Sequence, residues 1–235
     1  MRLEKEGQTI TAAVLLTLSG GFLDAFTYVA HHHVFANAMT GNIVLLAVSA
    51  AAGNWGQAAH HLPPLVAFVA AVFVIHLFDL KPVAARINRP VLFCLLMEIA
   101  FLSVAALIHL PDSWLIPGIT FTATLQTLSF SRLEGLTYSS VVTTGNLRQA
   151  AKRFFEGLLP LRRDQHAYRE AFLLGLISLS FCVGAFIGGY SVMRYSDRAL
   201  LLVVLWLLYV LIRVLRYKPG NTLPSIPAVD DRRGE

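Results

Sequence analysis

The chain has 235 residues, of which 56% are hydrophobic and only 14% charged, with a mean hydropathy of +0.62. Soluble domains are about 45–50% apolar and about a quarter charged, so this composition excludes an ordinary soluble enzyme or binding module. The formal net charge of +5 does not mark a nucleic-acid binder, because the basic residues fall between apolar runs. There they report orientation in a membrane.

A bilayer core needs about 20 apolar residues per helix. Six runs meet that need, at 12–30, 63–80, 91–110, 114–131, 170–193 and 199–217. The first follows Arg2 and Lys5, but it contains Asp24 and no small-residue cleavage site follows it. It reads as a retained helix and not as a signal peptide. Two further stretches, 34–53 and 136–155, are moderately apolar, and Arg148, Lys152 and Arg153 make a full crossing by the second costly. If neither crosses and the N-terminus is cytoplasmic, the inside segments are 1–11, 81–90, 132–169 and 213–235. These hold 2, 3, 7 and 5 Lys/Arg, which is 17 of the 19 in the chain, leaving only Arg194 and Arg198 outside. Letting both stretches cross would move Lys81, Arg86 and Arg89 outside. Charge asymmetry therefore predicts an all-α, polytopic protein of six spans with both termini cytoplasmic, forming one membrane domain. Residues 218–235 read as a disordered tail, and Cys94 and Cys182, inside apolar runs, as small apolar filler.

Met39-Thr40-Gly41-Asn42 recurs as Thr143-Thr144-Gly145-Asn146, 104 residues later. Around it the span 12–30 matches 114–131, 63–80 matches 170–193, and 91–110 matches 199–217. Each half, about 12–110 and about 114–217, then reads as helix, TGN segment, helix, helix. Three crossings per half make the second inverted relative to the first, the build of many secondary transporters. The apolar run from Ile43 to Gly53 has about 11 residues and reaches about 16 Å, half a bilayer. It fits a re-entrant segment turning at Gly41, with Thr40 and Asn42 as caps and a helix N-terminus open to an anion or carbonyl oxygen. A plain interfacial helix is the alternative. In the second half Arg148, Lys152, Arg153 and Glu156 are expected to stay at the cytoplasmic surface, so the halves are not equivalent.

Asp24 and Glu98 lie within spans, where a carboxylate must be protonated, paired or facing water. They are the candidates for proton or cation coupling, against a structural role as interhelical hydrogen-bond donors. Gln126 occupies the fourth span at roughly the position Asp24 has in the first, and no acidic residue matches Glu98. His76 and Asp79 read as a pair at the end of their span. His31-His32-His33 and His60-His61 fall in external segments, and adjacent histidines point apart with no cysteine or carboxylate to complete a set. They read as solvated interfacial residues, and no metal or other cofactor is expected. Gly20-Gly21 and Gly184, Gly188 and Gly189 read as sites of close helix packing. No nucleophile–base arrangement, P-loop or nucleotide fingerprint is present, which argues against an enzyme.

Gly21-Phe22-Leu23-Asp24-Ala25, then Val34-Phe35, then Asn37 to Asn42, resembles the YoaK-like family of bacterial integral membrane proteins. In the second half the family's M-Q-N-A and T-G-[TN] patterns stand here as Leu125-Gln126-Thr127-Leu128 and Thr144-Gly145-Asn146-Leu147-Arg148. The chain departs from the first of these at Leu125, Thr127 and Leu128. The resemblance covers roughly residues 10–217 and implies a six-helix protein of a bacterial inner membrane, without supplying an activity. The function expected is a small secondary transporter or permease for a small solute. Its substrate site would comprise Met39, Thr40, Gly41, Asn42, Gln126, Thr144, Gly145 and Asn146, with Asp24 and Glu98 coupling protons. A passive solute channel and a non-transporting scaffold are the alternatives, and the oligomeric state stays open. The expected partners are the lipid bilayer and the solute, not nucleic acid.

Overall fold

A computed structural model of the protein describes residues 9–78, 89–133, 136–158 and 165–216. Asp79, Lys81, Arg86 and the tail 218–235 lie outside the described residues. In chain order the elements are α1 (Ile10–Ala30), α2 (Met39–Ala51), α3 (Trp55–His60), α4 (Leu62–Leu77), α5 (Pro90–Leu107) and α6 (Asp112–Ser129). A two-stranded antiparallel ribbon follows, β1 (Arg132–Leu133) with β2 (Leu136–Thr137). Then come α7 (Thr143–Leu158), α8 (Gln165–Tyr195), a 3₁₀ turn (Ser196–Ala199) and α9 (Leu200–Arg216).

Helix starts follow local chemistry. The Thr9 hydroxyl accepts the Ala12 N–H at 3.3 Å and caps α1. Pro63 and Pro64 open α4 and Pro90 opens α5, in first-turn positions where a missing N–H removes no helical bond. Among the described residues four continuous helical stretches are long and apolar enough to cross a bilayer: Ile10–Ala30, Trp55–Leu77, Pro90–Leu107 and His166–Arg216. The 3₁₀ turn divides the last into α8 and α9. With 18 residues α6 has the length, about 27 Å, but it carries Pro117, Gln126 and a row of threonines. The architecture is that of an all-α, multi-pass membrane protein.

The helices pack in a definite set of pairs: α1 with α8 and α9, α4 with α6, α5 with α6 and α9, α2 with α4, and α7 with α8. A smaller contact joins α1 to α6. The main core lies between α1, α5, α6 and α9, around Phe22, Phe26, Leu95, Leu102, Leu115 and Leu207. Phe73, Phe172, Phe186 and Leu205, by contrast, are each more than half exposed. Those outward rings and side chains form the surface offered to lipid.

Because lipid tails are as apolar as leucine, closeness of approach decides which helices associate. The α1–α8 crossing is built for it. A Cβ on Gly184 would strike the Leu18 carbonyl, one on Gly188 the Phe22 carbonyl, and one on Gly21 the Phe181 carbonyl. The two backbones are in direct contact, as the glycine spacing led us to expect. Gly184→Val is therefore expected to destabilise the protein by about 1–3 kcal/mol or more, since backbone cannot step aside. Gly175→Ala has open space around it and is expected to be neutral or stabilising. Thermal unfolding of the purified variants in detergent measures both; equal midpoints would contradict the tight crossing.

Candidate functional site

Between α1 and α2, and again between β2 and α7, the chain leaves the helical state while still packed inside the bundle. Both interruptions are held by the same device. The Asn42 side chain accepts the Phe35 N–H at 2.9 Å and donates to the Phe35 carbonyl at 2.7 Å. The Asn146 side chain accepts the Ser139 N–H at 3.1 Å and donates to the Ser139 carbonyl at 2.6 Å. Each amide thus pairs with both backbone groups, N–H and carbonyl, of the residue seven positions earlier. Both asparagines are essentially fully buried. The TGN motif is a loop latch: its asparagine sits in the first turn of the helix and faces back.

That placement corrects one expectation. Thr40 and Asn42 do not cap α2, whose N-cap is Ala38 with no side-chain cap of its own. The capping group comes from α1 instead. One Asp24 carboxylate oxygen, Oδ1, accepts the N–H of Asn37 at 2.6 Å and of Ala38 at 3.3 Å. An Asp24 carboxyl oxygen thus already lies against the backbone that leads into α2. Thr40 is exposed, and Met39 and Gly41 are half-buried. In α7 likewise Thr144 is exposed and Gly145 half-buried, and the helix begins at Thr143.

The two loops come together on α1 and α6. The Ala36 carbonyl accepts the Thr120 hydroxyl at 2.7 Å, and the Asn37 side chain donates to the Gly20 carbonyl at 3.4 Å. Gly20 also lies directly under the Ser140 carbonyl, and Ser140 shares a 2.7 Å hydrogen bond with Thr127. Gly20 is therefore the point where both loops meet α1, and no larger residue fits there. Three other polar side chains are buried within this framework with free valences. Asp24 Oδ2, both oxygens of Glu98 and the Gln126 Nε2 have no hydrogen-bond partner among the described residues. Glu98 projects from α5 and Gln126 from α6, two helices packed side by side. Of the residues expected in a site, Asp24, Asn42, Glu98, Gln126 and Asn146 are buried, whereas the two threonines of the motif face outward. Thr120, Ser139 and Ser140 were not anticipated; the polar row along α6 was a sequence signal for Thr120 alone.

The histidines also differ from expectation. His31 is buried, and its Nδ1 lies 2.8 Å from Asp112 Oδ1 while its Nε2 lies 3.6 Å from Asp197 Oδ1. His32 reaches Asp112 Oδ2 at 3.1 Å, and His109 reaches Asp197 Oδ2 at 2.7 Å. The carboxylates that the sequence did not supply nearby come from the start of α6 and from the 3₁₀ turn. His61 is buried as well, with Nδ1 3.4 Å from Asn42 Oδ1. Among the described residues no group of three or more side chains is arranged to hold a metal ion. Cys94 is buried and Cys182 exposed, and both are free thiols.

A bundle of apolar helices with two interrupted, internally latched loops defines a multi-pass membrane protein. The chain belongs to the DUF1275 family of proteins of unknown function, whose family model matches residues 12–213. It is 28% identical over 182 residues to the UPF0700 transmembrane protein YoaK of Bacillus subtilis (strain 168), covering 75% of this chain and 81% of that protein. No solved structure matches it.

Asn42→Asp keeps the acceptor for the Phe35 N–H but loses the donor to its carbonyl. It is expected to cost about 1–3 kcal/mol through the unpaired buried carbonyl, and Asn146→Asp should cost a similar amount at Ser139. Thermal unfolding of the two variants is the measurement, and wild-type stability in both would refute the latch.

Proposed function

We propose that the protein is a small secondary transporter or permease, not an enzyme, with its site between the two latched loops and with Asp24 as the proton-coupling group. The proposed arrangement is six spans, namely α1, α4, α5, α6, α8 and α9, in two inverted halves with both termini cytoplasmic in a bacterial inner membrane. The helix pairings support it. Exchanging α1 with α6, α2 with α7, α4 with α8 and α5 with α9 turns the main set of interhelical contacts into itself. A pseudo-two-fold axis requires such a mapping, and many secondary transporters have one. The latches at Phe35 and Ser139 obey the same exchange, since both lie seven residues before their asparagine.

The single observation that carries the reading is the Asp24 carboxyl. One oxygen holds the backbone leading into α2 through two N–H groups, while the other is buried and has no partner among the described residues. A carboxylate at a helix N-terminus contributes about 0.3–2 kcal/mol, most of which depends on its charge. Protonation at Oδ2 leaves Oδ1 able to accept both bonds but removes that charge, so the hold on α2 weakens without breaking. A proton is thereby linked to the position of a helix end at the centre of the bundle. An anionic solute would face Asp24, so a cation or a neutral hydrogen-bonding solute fits this framework better. Glu98 and Gln126 offer the remaining free polar atoms.

Asp24→Asn is nearly isosteric and preserves the Oδ1 acceptor, so it is expected to fold. The test is a thermal-shift screen of the purified protein against cations and small neutral metabolites, repeated on Asp24→Asn. A stabilising solute is then followed into proteoliposomes with and without a pH gradient. A solute at about 100 times its Kd should stabilise the parent by about 2.7 kcal/mol and the variant less, and gradient-driven uptake should vanish in the variant. Uptake that ignores both the gradient and the substitution would make the protein a passive channel. No stabilising solute and no flux would leave a structural scaffold.

A further inference from the structure

We propose that the histidine–aspartate cluster at the end of the bundle where α1 stops and α6 starts is a proton-binding clasp that joins three separate segments only when His31 is doubly protonated. The clasp does not depend on whether the protein transports anything.

The geometry is specific. His31 lies between two carboxylates, with Nδ1 2.8 Å from Asp112 Oδ1 and Nε2 3.6 Å from Asp197 Oδ1. A neutral imidazole carries one N–H. The proton on Nδ1 satisfies Asp112, and Nε2 then presents a lone pair toward Asp197; that nitrogen is buried and has no hydrogen-bond partner among the described residues. Binding one proton from water at Nε2 turns this contact into an ion pair, so the imidazolium donates to Asp112 and attracts the Asp197 carboxylate across 3.6 Å. Asp112 belongs to the first turn of α6 and Asp197 to the turn between α8 and α9. His31 itself caps the end of α1. One proton therefore ties the ends of α1 and α6 to the α8–α9 turn.

The titratable and charged groups around His31 bear on this. From its own segment, His32 Nε2 lies 3.1 Å from Asp112 Oδ2 and stacks on His60 of α3 at 3.9 Å. From the α5–α6 connection, His109 Nδ1 lies 2.7 Å from Asp197 Oδ2. From the end of α8, Arg194 stands over the Tyr190 ring at 5.3 Å, and Arg198 follows Asp197 directly in the turn. His33 turns away, with Nδ1 3.0 Å from the Tyr28 carbonyl. Asp112 and Asp197 are thus each placed between two imidazoles, so the cluster holds two carboxylates against His31, His32 and His109. With His31 neutral, Asp197 keeps His109 but loses its link to α1.

The backbone supports a built feature. His32 and His33 have φ of +54° and +55°, and Ser196, next to Asp197, has +51°. These are left-handed conformations that side chains rarely adopt, and such strain gathers where the surrounding structure over-determines a segment. The His32 carbonyl is held by the Gln57 side chain at 2.6 Å.

Histidine is the side chain that titrates between about pH 5 and 8. A histidine that gains a partner on protonation contributes stability at the low end of that window and loses it as pH rises. The test uses the full chain in nanodiscs with EDTA, carrying Cys94→Ala, Cys182→Ala, Trp114→Cys and Tyr195→Cys. Trp114 and Tyr195 are exposed beside the two carboxylates. Spin labels there report the distance between the α6 start and the α8–α9 turn. A single narrow distance is expected at pH 5.5, and its share should fall by roughly two-fold or more at pH 8.5 as longer distances appear. His31→Gln should show the pH 8.5 distribution at both values. In the unlabelled protein the unfolding midpoint should fall by roughly 2–4 °C over the same range, and His31→Gln should flatten that fall. An unchanged parent distribution between the two pH values overturns the clasp, and that measurement needs no variant to fold. So does a His31→Gln protein that keeps the parent's shift. A narrow population that appears only when EDTA is replaced by a divalent cation overturns it in favour of a metal site.

Discussion

Residues 34–38 and 138–141 pack inside a helical bundle without being α-helical, and this places a severe demand on the chain. In a hydrocarbon surrounding no water is present to pair with a freed N–H or carbonyl, and each unpaired group costs several kcal/mol. The chain meets the demand from within. Asn42 and Asn146 each pair with the N–H and the carbonyl of one residue, Thr120 takes the Ala36 carbonyl, and Asp24 takes two further N–H groups. An amide suits this because it alone combines a donor and an acceptor in the spacing of a peptide. The position of each helix start is then tied to the path of the loop before it.

The glycines belong to the same constraint. For two loops to enter the bundle, the helices flanking them must leave room or come closer elsewhere. Gly20 provides the room, with Asn37 bonded to its carbonyl and Ser140 resting on its Cα. One residue later in α1, and at Gly184 and Gly188 in α8, the absence of side chains lets the two backbones touch. A side chain at any of these positions would push a helix away from the loop or from its partner.

Much of this was legible in the sequence because it depends on apolar run length. The helices α1, α4, α5, α6, α8 and α9 lie within a few residues of the runs read from hydrophobicity alone, apart from a longer α8. The packing role of Gly184 and Gly188 was also readable from their spacing. The site was only half legible. Spacing identified Asn42 and Asn146 but could not say which way an asparagine faces, and the answer is back into the loop instead of out toward a ligand. Nor could spacing bring Asp197 to His31, since that contact joins residues 166 positions apart. Composition led us to put His31 in solvent, whereas two remote carboxylates keep it buried.

The most informative difference lies between the two loops where they are otherwise alike. Counting 104 residues on from Asn37 and Ala38 reaches Val141 and Val142. In the first loop those two N–H groups go to the Asp24 carboxyl, which comes from another helix. In the second they go to the hydroxyl of Ser139, at 3.3 and 3.0 Å, within the loop itself. The same backbone requirement is thus met once by a group that can change its charge and once by a group that cannot. A hydroxyl would have served in both places if holding the loop were the whole task, and it would not have required a carboxyl group inside a bundle facing lipid. Burying Asp24 carries a cost that a hydroxyl would not, and the proposed proton coupling would account for that cost at the first loop.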